Sequence, residues 1–132
     1  MNLEHIQQQV SRDLKIDQLH LDSAAACVPI LHSKYLQMFT EAQLNCLKLQ
    51  AEYDSAYSDK YLYYRNDYPV VLKNKAEIDV LVSGDSELQA KRLKLDYEKT
   101  CANYLESVIK QINGMSFLIR DCLKFKKFEN GM

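Results

Sequence analysis

The sequence predicts an all-α protein, and three observations carry that prediction. Glycine and proline together make up five of 132 residues, about 4% against roughly 12% in average usage, too few turn and positive-φ residues for a sandwich, a barrel or tandem βαβ units. Apolar residues recur at steps of three and four through most of the chain, the period of one helix face. Two stretches, from about Gln18 to Asn66 and from Ser86 to about Phe128, run with almost no helix breaker. At this length the chain holds one domain or two very small ones.

Leu3, Ile6, Val10 and Leu14 form one apolar stripe opposite Glu4, Gln7, Gln8, Arg12 and Asp13, which predicts a short amphipathic N-terminal helix. Lys15-Ile16-Asp17 breaks it. The long helix that follows carries a continuous stripe of Leu31, Tyr35, Met38, Ala42, Cys46, Leu49, Tyr53 and Ala56. Pro29 either kinks this helix or marks its true first turn, since proline is tolerated at the first helical position and costly inside. Asn66-Asp67-Tyr68-Pro69 stops it, because the residue before a proline is pushed out of the α region. Val70-Val71-Leu72 is a short apolar link that can be extended, and Lys75 to Val82 a brief helix. Ser83-Gly84-Asp85-Ser86 is the clearest turn, and Ser86 with Gln89 reads as a capping box opening the last helix. That helix is expected to run on through Asn113-Gly114, at a cost of about 1 kcal/mol for the glycine.

The last helix is apolar over a wide face. Cys101, Tyr104, Val108, Met115, Leu118, Cys122 and Phe125 make one stripe, and Leu105, Ile109, Ile112, Ile119 and Leu123 a second beside it. Such a face either lies at the centre of a bundle with the 18–66 helix or packs between two neighbours, as in a ring of repeated subunits. The residues expected to carry oligomerisation are Cys101, Tyr104, Leu105, Val108, Ile112, Met115, Leu118, Ile119, Cys122 and Phe125.

Several function classes are excluded. Glycines at only 84, 114 and 131 permit neither the dinucleotide fingerprint nor the P-loop. No nucleophile elbow exists, and carboxylates sit singly among lysines, so no catalytic residue and no cofactor is expected. Cys27, Cys46, Cys101 and Cys122 are far apart and show no ligand spacing with His5, His20 or His32. They read as buried thiols, with no metal site. No signal segment and no apolar run of membrane-spanning length occurs, which makes a cytosolic protein the default and a membrane partner unexpected.

The strongest compositional oddity is nine tyrosines, six of them within residues 53–68. Tyr53, Tyr57, Tyr61, Tyr64 and Tyr68 step along one ridge, with Tyr63, Lys60 and Arg65 close by. Rings interleaved with cations suit a sequence-tolerant single-strand binder, because bases stack on rings while Lys and Arg follow the phosphates. Tyrosine ridges also pack at protein interfaces, ring buried and hydroxyl wet. The formal net charge of −1 does not announce nucleic acid, but it averages over local basic clusters at Lys91-Arg92-Leu93-Lys94 and Arg120 to Phe128. A ring would multiply each of these.

Leu31-His32-Ser33-Lys34-Tyr35-Leu36, Leu47 to Ala51, Lys60 with Tyr63-Tyr64, and Ile119 to Gly131 with Phe128-Glu129-Asn130-Gly131 resemble, in order and spacing, the UvsY family of recombination mediators of large tailed bacteriophages. The Leu3-Glu4 start and the Ser83-Gly84-Asp85 turn fall in register, so the resemblance spans nearly the whole chain. It implies a non-catalytic accessory protein that binds single-stranded DNA as a homo-oligomeric ring of six or seven subunits. Its partners would be a RecA-like recombinase of the UvsX type and the phage single-strand-binding protein, in the cytoplasm of the infected bacterial host. The family's Lys-Ala-Arg-Leu-Asp-Tyr-Tyr segment falls on Ser58-Asp59-Lys60-Tyr61-Leu62-Tyr63-Tyr64, where only the second basic position survives, as Lys60. DNA contact is thus expected at Lys60, Arg65, Tyr57, Tyr61, Tyr63, Tyr64 and Lys34, with Lys73 and Lys75 as further cations. Residues 1–72 are expected to form a DNA-facing N-terminal helical module and 73–132 a C-terminal oligomerisation module, or the two to form one domain. The rival reading is a helical adaptor or assembly scaffold that touches no nucleic acid.

Overall fold

The structure, a computed structural model, describes residues 1–71 and 74–131. Among these residues there are four α-helices: α1 (Leu3–Asp13), α2 (Leu21–Leu62), α3 (Lys75–Ser83) and α4 (Ser86–Glu129). One π-helical turn, Tyr63–Asp67, prolongs α2. No strand occurs among the described residues.

Each helix start has a local cause. The Asn2 side chain accepts from the His5 amide at 3.1 Å, capping α1, and the helix buries Ile6 and Val10. Asp17 opens α2 from outside: its carboxylate accepts from the Leu19 amide at 2.9 Å and lies 2.7 Å from Nδ1 of His20, the self-closing turn that aspartate favours. The expected start near Gln18 therefore shifts to Leu21, which is buried. Of the two readings of Pro29, the first-turn one is overturned, because Pro29 lies well inside α2. It denies the Ala25 carbonyl an amide partner, but both residues are exposed, which leaves that carbonyl open to solvent.

The break after α2 falls as the Tyr68-Pro69 pair dictates, with Tyr68 extended at ψ 137°. Val70 and Val71 are exposed, whereas Leu72 and Lys73 lie outside the described residues. Asn74 caps α3 by accepting from the Glu77 amide at 3.0 Å. The expected capping box on Ser86 and Gln89 is corrected by one residue. The cap of α4 is Asp85, whose Oδ1 accepts from the amides of Glu87 at 3.0 Å and Leu88 at 3.1 Å. A carboxylate also answers the positive end of the helix, which a hydroxyl does only weakly. Gln89 instead donates to the Ser83 carbonyl at 3.2 Å. Helix α4 then runs unbroken through Asn113-Gly114, as its apolar phase predicts, and the chain turns at Gly131 with φ +70°.

Two compact units share the long helices between them. The first comprises residues 1–42 and 101–132, so it takes α1, the start of α2 and the end of α4. Buried in it are Ile6, Val10, Leu21, Tyr35, Ala42, Cys101, Ala102, Leu105, Val108, Ile112, Met115 and Ile119. The second comprises residues 43–100, and each unit thus takes part of both long helices, a grouping other than 1–72 and 73–132. Its core is small: Ile78, Val82 and Leu88 are buried, with Tyr53, Ala56, Tyr61 and Tyr64 packed against them, and Leu95 is buried further along α4. At roughly 1.5–3 kcal/mol per buried aliphatic side chain, four such residues hold little, so tyrosine rings supply much of the packing.

Candidate nucleic-acid interface

Tyrosines at steps of four and three along the end of α2 put their rings on one side of the helix, and the structure shows how they divide. Tyr53, Tyr61 and Tyr64 lean on the small core, while Tyr57 and Tyr63 are exposed. Tyr57 stands between two neighbours, with ring centres 6.3 Å from Tyr53 and 6.5 Å from Tyr61, the latter pair stacked at 27°. The π-helical turn gathers a second group: Tyr63 lies 5.1 Å from Tyr64 and 6.2 Å from Tyr68, both edge to face. The ridge is therefore partly core and partly surface, each reading holding for some of its members.

Lys60 and Tyr64 converge on the cap of α4. The Tyr64 hydroxyl donates to Oδ2 of Asp85 at 2.8 Å, and Nζ of Lys60 lies 3.5 Å from the same oxygen and 3.1 Å from Oε2 of Glu87. The ammonium also stands 5.9 Å from the Tyr63 ring centre, close enough for a cation–π contribution. The Glu87 carboxylate above all, and then Asp85, hold the Lys60 ammonium above its ordinary pKa. Burial on its own would raise the Asp85 carboxyl, but the Tyr64 hydroxyl, the Leu88 amide and Lys60 together keep it below the usual range. Lys60 is thus charged and already paired with acids. Arg65 and Lys75 are exposed, and neither forms an ion pair with a described residue; Lys73 lies outside the described residues.

Lys34 belongs to the first unit. Its Nζ lies 2.6 Å from Oδ2 of Asp13, which also accepts from the Tyr35 hydroxyl at 2.8 Å. The hydrogen bond from Lys34 is the main reason that the Asp13 carboxyl sits below its ordinary pKa, and burial pushes the Tyr35 phenol up.

The oligomerisation candidates on α4 also divide. Cys101, Leu105, Val108, Ile112, Met115 and Ile119 are buried within the protomer itself, Tyr104 and Cys122 are half-buried, and Leu118 and Phe125 are exposed at 56% and 63%. Phe117 and Phe128 are exposed too and share a helix side with Leu118 and Phe125, giving this end of α4 an open apolar face with Arg120 5.1 Å over the Phe117 ring; the exposed Leu123 lies on another side of the helix. Sequence reasoning passed over a second open face. Leu36, Thr40, Leu44, Leu47, Ala51, Ser55, Ser58 and Leu62 run along α2 at steps of three and four, all uncharged and all exposed. Its signal, a helical-period row without a single charge, was present in the chain. Of the cysteines, Cys101 is buried, Cys46 and Cys122 are half-buried, and Cys27 is exposed, so Cys27 departs from the buried-thiol expectation. Burial first and the Glu98 charge second push the Cys46 thiol up, which keeps it protonated. Among the described residues no helix is long and apolar enough to cross a membrane.

Fold and site together define a small all-helical protein with a tyrosine-rich corner that holds Lys60 and Arg65 in its second unit and with open apolar or uncharged faces on its long helices. The chain belongs to the UvsY family, described as recombination, repair and ssDNA binding protein, whose sequence pattern matches residues 9–132. It is 23% identical over 136 aligned residues to the recombination protein uvsY of Enterobacteria phage T4, covering 99% of each chain. Crystal structures of the bacteriophage T4 recombination mediator protein UvsY share its fold. One superposes with a TM-score of 0.89 at 24% identity, covering 98% of this chain and 99% of the other. A second crystal form gives 0.88 at 23%, covering 98% of each chain.

Proposed function

We propose that the protein is a recombination mediator that binds single-stranded DNA as a homo-oligomeric ring of six or seven subunits. In this role it would help a RecA-like, UvsX-type recombinase load onto DNA covered by a phage single-strand-binding protein, in the cytoplasm of an infected bacterial host. It acts without catalysis or cofactor. The observation that carries the DNA assignment is the corner at the end of α2, where Lys60 and Arg65 stand among Tyr57, Tyr61, Tyr63 and Tyr64. Family membership supports it. Stacking tolerates any base and the cations follow the phosphates, so a strand of any sequence is held weakly at each subunit. Repetition around a ring turns weak contacts into avidity, and a strand held at many points can be loosened from one coat and offered to another.

The ring reading is supported by two different open faces on one chain. A closed ring is built from head-to-tail contacts, which need two unlike surfaces on every subunit; the apolar end of α4, with Leu118 and Phe125 foremost, and the uncharged row on α2 from Leu36 to Ser55 are such a pair. The buried members of the α4 candidate set contribute to assembly by holding the helix in place. The same two faces favour the adaptor reading, in which they dock other proteins and the tyrosines touch no nucleic acid. Light scattering combined with an oligo-dT shift assay separates the two. The mediator gives an oligomer that shifts the strand, with affinity falling as salt rises; an adaptor gives the oligomer and no shift at low salt.

A further inference from the structure

Beside the exposed Tyr57 ring lies a groove of about 620 Å³ lined by Tyr57, Ser58, Tyr61 and Leu62 of α2 and by Lys75 and Asp79 of α3. We propose that this groove is a nucleobase site, taking one unstacked base of a DNA strand against Tyr57 and Tyr61 and the adjoining phosphate on Lys75. The inference rests on the single-stranded DNA reading and adds a named pocket to it.

Four observations select this occupant. First, the wall is aromatic: the Tyr57 and Tyr61 rings are stacked at 27°, while Tyr61 is pinned by the small core and Tyr57 stays 39% exposed. A pinned ring backing an exposed one offers a flat, ordered plate, which a planar base covers at little entropic cost. Second, Lys75 lies at the groove without an ion pair among the described residues, so a phosphate there displaces no internal partner. Lys60, by contrast, must leave Glu87 first. Third, Asp79 is half-buried in the same wall, and a carboxylate accepts only. It therefore turns a phosphate away and receives the N–H groups of a base edge, which orients the nucleotide with base inward and phosphate toward Lys75. Fourth, the volume falls within the range of small-ligand sites. A smaller groove of about 210 Å³ shares Tyr57 and Asp79, but its cation, Arg92, is turned to Asp96 at 3.9 Å. The larger groove is the better site.

Oligo-dA and an abasic strand with the same number of phosphates separate stacking from charge. The full-length protein should bind oligo-dA more tightly than the abasic strand, by on the order of ten- to a hundredfold. Its tyrosine emission, unmasked because the chain has no tryptophan, should be quenched by oligo-dA. Tyr57→Leu should bind both strands alike and lose most of the quenching, Tyr57→Phe should keep the discrimination, and Lys75→Gln should weaken both strands equally. Equal binding of the two strands by the unaltered protein, or full discrimination by Tyr57→Leu, overturns the nucleobase site and leaves the phosphate reading standing. Binding of neither strand at low salt overturns the DNA reading itself.

Discussion

Two corners of the molecule use the same three residue types and come out differently. At one, Lys34 and Tyr35 share a single oxygen of Asp13, at 2.6 and 2.8 Å; at the other, Lys60 and Tyr64 share a single oxygen of Asp85, at 3.5 and 2.8 Å. Tyr35 is wholly buried and its lysine is held tightly. Tyr64 is half-buried, and Lys60 is split between Asp85 and the exposed Glu87 beside a bank of open rings. The first corner spends its lysine on holding α1 to α2. The second spends its aspartate on capping α4, and its lysine is only loosely retained. A lysine near a tyrosine in sequence is therefore not evidence of a binding cation; what the shared carboxylate is already doing decides.

The contrast predicts a graded series of effects. The largest is on stability: Tyr35→Ala should cost about 3–5 kcal/mol in urea unfolding, as fully buried aromatics do, and Tyr64→Ala about 2 kcal/mol, because less of that ring is removed from water. Equal losses would mean that the two corners are structurally equivalent. Next, Asp85→Ala should cost about 2–3 kcal/mol, combining a lost helix cap with a lost hydrogen bond to a charged acceptor. Asp13→Ala, whose carboxylate caps no helix, should cost about half as much.

Acid sharpens the same comparison. The Asp13 and Asp85 carboxyls both sit below their ordinary value of 3.8 in the folded chain. Their contribution is therefore present above that value and lost as the pH falls through the lower, folded pKa. The urea midpoint should drop as the pH is taken below about 4, and Asp85→Asn should flatten the drop. A midpoint that rises on acidification contradicts the assignment. The smallest effect is on binding. Glu87→Gln frees Lys60 from an exposed partner and should tighten oligo-dT binding about two- to fivefold, the scale of a surface ion pair. The gain should vanish when Lys60→Ala is added.

Much of this fold was legible because helices announce themselves by period. The covered stripe from Leu31 to Ala56 is the one read from spacing alone, and every member of it is buried or half-buried. What periodicity could not decide was phase on α4, where two apolar stripes adjoin. The protomer buries Cys101, Leu105, Val108, Ile112, Met115 and Ile119, a set drawn from both stripes, and leaves Leu118 and Phe125 open. Nothing in a single helix marks which apolar row serves its own chain. Asp85 was placed in the turn but not recognised as the cap, because serine followed by a glutamine is an equally good local pattern. The Asp13–Lys34 and Asp85–Lys60 pairs join residues more than twenty positions apart, beyond the reach of local spacing, and they bear most directly on which cations are available. The π-helical turn that brings Tyr63, Tyr64 and Tyr68 together has no sequence signal except the proline that follows.

Whether the second corner, rather than the first, meets DNA is read from the salt dependence of oligo-dT binding for the unaltered protein, for Lys60→Ala with Arg65→Ala, and for Lys34→Ala, each checked to be the same oligomer. On single strands each phosphate contact contributes roughly 0.7 to the slope of log affinity against log salt. The double variant should therefore lose roughly 1.4 of that slope per subunit engaged, while Lys34→Ala keeps the full slope. A double variant that retains the slope, or a loss on Lys34→Ala instead, would contradict the account.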